Sequence, residues 1–174
     1  MIRRIHIDGD EAAFNELYEL QEARLLKFAI GFVADRESAE EIVQDVFVKI
    51  WLSRKNSHAI RNLQVYLYVL TKNACLNHLR SISSKKIREL QLTESYYFDL
   101  PVDPSQLLIS KELQTRVLKA VNGLPPRCKL VFKMIKEDGL SCNEVAAILD
   151  LSYKTVFAQL TIALKKLDDV LGSK

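Results

Sequence analysis

The sequence predicts an all-α protein: two small helical domains joined by a flexible linker, the second a helix-turn-helix. Three observations carry this. Only five glycines and four prolines occur in 174 residues, too few for a turn-rich β architecture. Apolar residues recur at three- and four-residue spacing through long stretches of both halves. Helix-start signals stand where periodic stretches begin, most plainly at Ser141 and Ser152. The expected boundaries are residues 1–80 for the first domain, 81–105 for the linker and 106–174 for the second domain. There is no internal repeat.

In the first domain, Ala13, Phe14, Leu17, Tyr18, Leu20, Leu25, Phe28, Ala29 and Phe32 follow helical spacing from about residue 10. This helix, with a break expected near Gln21, ends between residues 31 and 35. A second helix spans about residues 36–52 and buries Ala39, Ile42, Val43, Val46, Phe47 and Ile50. After the polar loop SRKNSHAIRN, a third spans about residues 63–80, with Leu63, Tyr66, Leu67, Leu70 and Ala74 on its buried side. Periodicity fades between residues 81 and 105, where Pro101 and Pro104 preclude a continuous helix.

Helix resumes near Gln106 with Leu107, Leu108, Leu113, Val117, Leu118 and Val121, and Gly123-Leu124-Pro125-Pro126 stops it. Another helix follows. Ser141 and Glu144 then have the S-x-x-E spacing of a capping box, in which each side chain satisfies a backbone N–H near the other. The short helix they start carries Val145, Ala146, Ile148 and Leu149. Asp150-Leu151-Ser152 breaks it, and Ser152 caps a last helix to about residue 167 that buries Val156, Leu160, Ala163, Leu164 and Leu167. A helix-turn-helix places such a second helix in the major groove of DNA.

Composition narrows the function classes. No run of about 18 apolar residues exists, so no membrane insertion is expected. The N-terminal MIRRIHIDGDEAAF has two arginines but no apolar core after them, unlike a secretory signal, and a cytoplasmic location is expected. The three cysteines, Cys75, Cys128 and Cys142, lie far apart, which favours reduced structural thiols over zinc ligands. His6, His58 and His78 are isolated and no glycine-rich phosphate loop occurs. No catalytic residue, metal or cofactor is therefore expected, and the chain does not read as an enzyme.

The net charge of +3 hides a segregation. Residues 8–45 hold eleven acidic and three basic side chains, whereas residues 46–88 hold nine basic side chains and no acid. Residues 105–174 hold eleven basic and seven acidic. Neighbouring surfaces of opposite sign suit two kinds of partner, a basic protein surface for the acid and phosphates for the base.

Three surfaces follow. On the second helix, Glu37, Glu41, Gln44 and Val48 lie opposite the apolar stripe, with Asp45 at the edge and Leu52 beyond: a docking face, with Trp51 on its flank. The competing assignment puts Trp51 and Leu52 in the domain's own core. On the third helix and the segments beside it, Arg61, Lys72, Arg80, Lys85, Lys86 and Arg88 suit phosphates. Asn73, Asn77 and His78 suit base edges, and Tyr66 and Tyr68 are candidates for stacking on unpaired bases, although a tyrosine at helical spacing is more often a core residue and Tyr66 in particular lies on the apolar stripe. On the last helix, Lys154, Ala158, Thr161 and Lys165 lie opposite the buried stripe, flanked by Thr155, Phe157, Gln159 and Ile162. Lys154, Lys165 and Lys166 suit phosphates, Gln159 adenine, and Thr155, Thr161 or Phe157 a thymine methyl.

With these residues in place, the whole chain resembles the extracytoplasmic-function sigma factors of bacteria, the smallest members of the sigma-70 family. AEEIVQDVFVKIW (39–51) is similar to the family segment that binds the clamp helices of the RNA polymerase β′ subunit, and Glu41, Gln44 and Asp45 match its contact positions. RNLQVYLYVLTKNACLNHLR (61–80) is similar to the segment that melts and reads the minus-ten promoter element. Asn73 matches a residue typical there, while Asn77 stands where Asp is more usual. LPPRCKLVFKMIKEDGLSCNEVAAILDLSYKTV (124–156) resembles the module that reads the minus-thirty-five element. Beyond it, Phe157, Ala158 and Gln159 occupy positions where the family commonly has Glu, a polar or basic residue, and His.

The resemblance implies a non-catalytic initiation subunit that directs core RNA polymerase to promoter DNA, with the β′ clamp and the β subunit as protein contacts. The pattern looks closest to the iron- and glycan-uptake type paired with a membrane-bound anti-sigma factor. A rival class is a stand-alone helix-turn-helix regulator that binds duplex DNA as a dimer, against which no heptad stripe is evident. A helical adaptor without a DNA role conflicts with the acid-free stretch of residues 46–88.

Overall fold

The computed structural model describes residues 5, 9–54, 60–83 and 111–172. Among them the regular structure is entirely helical: α1 (Glu11–Val33), α2 (Arg36–Ser53), α3 (Leu63–Ser83), α4 (Lys111–Asn122), α5 (Pro126–Lys136), α6 (Cys142–Leu149) and α7 (Tyr153–Gly172). They form two compact units, α1–α3 and α4–α7. Residues 81–83, expected to belong to the linker, instead continue α3; the rest of the expected linker, 84–105, and the expected helix start near Gln106 lie outside the described residues.

α1 begins where Asp10 Oδ1 accepts a hydrogen bond from the Ala13 amide at 3.0 Å. The break expected near Gln21 does not occur, and α1 is continuous for 23 residues. The polar cluster there consists of good helix formers, and the Tyr18 hydroxyl bridges the turn by donating to Glu22 Oε1 at 2.8 Å. The helix ends at Ala34, which adopts a left-handed φ of 57° and donates its N–H to the Ile30 carbonyl. Asp35 follows at once and caps α2, accepting from the Ser38 amide at 2.7 Å. So short a connection makes α1 and α2 neighbours, and both pack on α3.

Aromatic residues dominate the α1–α2 seam. Phe47 meets Phe14 edge-on with centroids 6.2 Å apart and Tyr18 at 4.7 Å. Each such pair contributes about 0.5–1.5 kcal/mol beyond the area it buries. All six residues expected on the buried side of α2 are buried. α3 differs in detail. It starts where Asn62 Oδ1 accepts from the Val65 amide, and it buries Leu63, Leu67, Tyr68, Thr71, Lys72 and Cys75. Tyr66, Leu70 and Ala74 are only half-buried. The stripe is turned toward Tyr68 because that ring completes the core against Phe28, centroid to centroid 4.9 Å. Cys75 is fully buried and free, and desolvation pushes its thiol up to about 12, where it is inert at neutral pH.

In the second unit, Ala120 and Val121 of α4 and Leu124 just beyond it pack with Cys128 of α5 and with Ala163 and Leu167 of α7, joined by Val117 and Phe132. Pro126 opens α5, where its missing N–H removes no helical bond. Gly139, at φ 73°, turns the chain toward α6. The capping box expected at Ser141 and Glu144 is complete. The Glu144 amide donates to Ser141 Oγ at 3.3 Å, and the Ser141 amide donates to Glu144 Oε2 at 2.7 Å. Asp150 terminates α6 with a left-handed φ of 54°, and the Leu151 amide donates back to the Ala146 carbonyl. Ser152 Oγ accepts from the Thr155 amide at 3.0 Å, the cap expected for α7. The chain bends by 113° between α6 and α7, within the range of a helix-turn-helix.

α7 buries Val156, Ala163 and Leu167, with Leu160 half-buried. Leu164 departs from expectation: it is 43% exposed, on the helix position next to the buried Ala163. Replacing Ser141 by Ala removes half of the capping box and is expected to lower stability by about 1 kcal/mol. Urea unfolding followed by circular dichroism should show a lower midpoint at an unchanged slope.

Candidate docking and nucleic-acid interfaces

The outer face of α2 is built by subtraction. Burial of its apolar stripe leaves Glu37, Glu41, Gln44, Asp45, Val48 and Leu52 exposed on the opposite side. Glu37 lies in the first turn, where the helix dipole favours negative charge, and Glu41 and Asp45 continue the acidic row along the helix. Val48 and Leu52, 55% and 73% exposed, occupy the C-terminal part. Arg36 pairs with Glu40 at 2.7 Å on the flank, outside this stripe. The two residues left open between core and surface separate here. Leu52 belongs to the surface. Trp51 is half-buried, its ring 4.9 Å from Phe14 and covered by the Arg54 guanidinium at 4.2 Å.

Asp35 anchors the start of this face. Its carboxyl is held below the ordinary value of 3.8, first by the hydrogen bond with the Ser38 side chain. The Ser38 and Glu37 amides and the neighbouring His78 act in the same direction.

On α3, Asn73, Asn77 and Arg80 are exposed at positions i, i+4 and i+7, one line along the helix. Arg80 donates to Asn77 Oδ1 at 3.1 Å, holding that amide in place. Arg61, just before the helix, is exposed and His78 is half-buried. Two expectations are corrected. Lys72 is 6% exposed and engaged within the protein, because it lies one turn beyond Tyr68 on the buried side and so does not offer its ammonium to phosphates. Tyr68 is fully buried and unavailable for stacking, which leaves the half-buried Tyr66. Lys85, Lys86, Arg88, His6 and His58 lie outside the described residues.

On α7, Lys154, Phe157, Ala158, Thr161, Ile162 and Lys165 are exposed and Thr155 is half-buried. Thr155 Oγ1 lies 2.8 Å from Ser152 Oγ, so its hydroxyl serves the cap. Gln159, expected as a base reader, is turned inward: it is half-buried, and its Oε1 accepts from the Cys128 thiol at 3.0 Å. Lys166, expected to face phosphates, donates to the Gly123 carbonyl and ties α7 to the end of α4. Lys129 and Lys133 are also buried and engaged, so the basic count of residues 105–174 overstates the cations offered to a partner. One surface feature went unrecognised: Tyr153, half-exposed at 52%, stacks on Phe157 with planes 14° apart. Its signal was present in the i, i+4 spacing of two aromatics just inside a helix start.

Comparison with known proteins places both units. The family described as Sigma-70 region 2 matches residues 17–85, and the family described as Sigma-70, region 4 matches residues 114–167. Together these matches cover more than half of the chain. The chain belongs to the sigma-70 family. It is of the extracytoplasmic-function type, an RNA polymerase sigma factor that directs core polymerase to promoters for transcription initiation.

Relatives of this sigma factor include the ECF RNA polymerase sigma-E factor of Escherichia coli K12, 23% identical over 92% of this chain and 87% of that protein. The RNA polymerase sigma-H factor of Pseudomonas aeruginosa is 21% identical over 94% and 88%. Among solved structures, the sigma factor RpoE in complex with the anti-sigma factor NepR from Bartonella quintana aligns with a TM-score of 0.61 at 23% identity, covering 93% of this chain and 98% of that one. CnrH in complex with the cytosolic domain of CnrY aligns at 0.59 and 21%, covering 99% and 96%. These two establish likeness of fold. No single described helix is long and apolar enough to cross a membrane.

Because the folded-state pKa of Asp35 is depressed, its contribution to stability is full above the ordinary carboxylate value. It is lost as pH falls through the lower folded value. Asp35→Asn keeps a capping oxygen but removes the titration. Thermal melts between about pH 5 and 2 should therefore show a shallower acid decline than in the parent.

Proposed function

We propose that this sigma factor grips the β′ clamp of core RNA polymerase through Glu37, Glu41, Gln44, Asp45 and Val48 of α2, with further contacts to the β subunit. One observation carries this reading. A single three-helix unit exposes an acid-then-apolar stripe on α2 and an acid-free line of amide and guanidinium groups on α3. Such a unit holds a basic protein surface and unpaired DNA at the same time. Arg61 and Arg80 would meet phosphates and Asn73 and Asn77 the bases of the minus-ten element, where a well-placed side-chain contact discriminates by about 1–3 kcal/mol. Lys72 drops out of this set because of its burial.

In the second unit, α7 would enter the major groove of the minus-thirty-five element. Lys154 and Lys165 would meet phosphates, with Thr155, Phe157, Ala158 and Thr161 near base edges. Gln159 drops out of the base-reading set, because its amide oxygen is held by the Cys128 thiol. The chain contributes binding and orientation, and polymerisation belongs to its partner.

The finer reading is an uptake-type sigma factor held by a membrane-bound anti-sigma factor and acting in the cytoplasm. The two solved relatives, each in complex with an anti-sigma factor or its cytosolic domain, support the class of partner. The exposed apolar end of α2 supports an additional protein contact.

The charge-reversed double variant Glu41→Lys/Asp45→Lys should lose retention on core polymerase and promoter-dependent transcription while keeping its helical circular dichroism. Normal holoenzyme assembly by this variant would refute the α2 assignment. The same pull-down from solubilised whole cells tests the finer reading, which fails if polymerase alone is recovered. In holoenzyme bound to promoter duplex, Lys154→Ala or Lys165→Ala should each reduce the slope of log affinity against log salt by about 1 without changing sequence preference. A protein that instead bound a palindromic duplex tightly without polymerase would be the stand-alone regulator.

A further inference from the structure

The exposed face of α7 is short of groups that read bases by hydrogen bonds. The helix contains no Arg and no Asn. Its one amide, Gln159, has its oxygen committed to the Cys128 thiol. The Thr161 hydroxyl donates to the Phe157 carbonyl of its own helix at 2.9 Å. What the helix does present, at its first turn, is the stacked pair of Tyr153 and Phe157, ring centroids 6.1 Å apart and half-exposed. Lys154 lies beside the pair in sequence and is itself exposed. The N-terminal residues of a recognition helix are the ones that reach base edges. An aromatic pair held against solvent next to a cation fits a surface that is apolar in detail and anionic in outline.

We propose that Tyr153 and Phe157 form the discriminating element of α7 and select thymine-bearing duplex by contact with thymine C5-methyl groups in the major groove. Cys128 is a positioning residue that holds the Gln159 amide away from the base edges. The proposal rests on α7 being the upstream duplex-binding helix. It names the chemistry that helix reads. Of the four bases, only thymine offers a methyl group in the major groove, so an apolar reader distinguishes it without a hydrogen bond. Removing the methyl subtracts apolar area and leaves the acceptor pattern unchanged, which isolates the effect.

The experiment uses assembled holoenzyme. Upstream duplexes are selected by it from random DNA, resynthesised with uracil in place of thymine, and compared by competition binding. Wild-type holoenzyme is expected to bind the uracil duplexes about fourfold more weakly for each methyl contacted. Phe157→Ala and Tyr153→Ala should bind thymine and uracil duplexes alike while keeping the wild-type salt slope. Both side chains are half-exposed, so these variants are expected to fold, with melting temperatures unchanged from the parent as the control. Cys128→Ala should restore a preference at an adenine position by releasing Gln159, an outcome a purely structural cysteine would not give. Wild-type binding that is indifferent to the methyl groups, or Phe157→Ala that still discriminates, overturns the proposal alone. Holoenzyme that selects no upstream duplex overturns it together with the assignment of α7.

Discussion

The contact of Phe47 with Phe14 and Tyr18 decides which side of α2 the protein shows to its surroundings. A helix that inserts one large ring between two others has little rotational freedom left, since a turn of even one residue would drag Phe47 out of the seam. Everything on the opposite side inherits its orientation from that constraint. Glu41, Gln44, Asp45 and Val48 form a row because Val43, Val46, Phe47 and Ile50 are committed elsewhere. The abrupt junction at Ala34 and Asp35 reinforces this by fixing where α2 begins. A surface for a large partner is thus specified by packing that the partner never touches.

The second unit solves a similar problem with polar devices. α7 is long and its buried stripe is narrow, so its rotation is set at several points along its length. Ser152 holds its start, the Cys128 thiol meets Gln159 near its middle, and Lys166 reaches back to the end of α4. Each of these contacts takes a group that could have faced DNA and spends it on orientation. The outward side of α7 is consequently more apolar than its amino-acid content suggests.

Much of this was legible in the sequence, and the failures share one physical cause. Helix positions, the capping box, the Ser152 cap and the buried side of α2 follow from local spacing and local hydrogen bonds, which one chain segment determines by itself. Lys72, Gln159 and Leu164 depart from expectation, and Tyr68 is decided between core and surface, because each lies at the margin of a stripe and its fate depends on what another helix brings to it. Tyr68 is recruited by Phe28, Gln159 by a thiol 31 positions earlier, and Leu164 is left 43% exposed beside the buried Ala163. Periodicity places a side chain on a face to within about one residue's rotation, and marginal residues need finer placement than that. The break expected near Gln21 fails for a different reason: Gln21, Glu22, Ala23 and Arg24 all favour helix and carry α1 through without interruption.

Trp51 is the chain's one tryptophan, wedged between Phe14 and the Arg54 guanidinium a single residue from the apolar end of the docking row. Its indole emission therefore originates from a single known place. Any event that shields Leu52 from water or lifts the guanidinium from the ring alters the polarity around that chromophore, so the native protein carries an optical probe of engagement at α2 without a label.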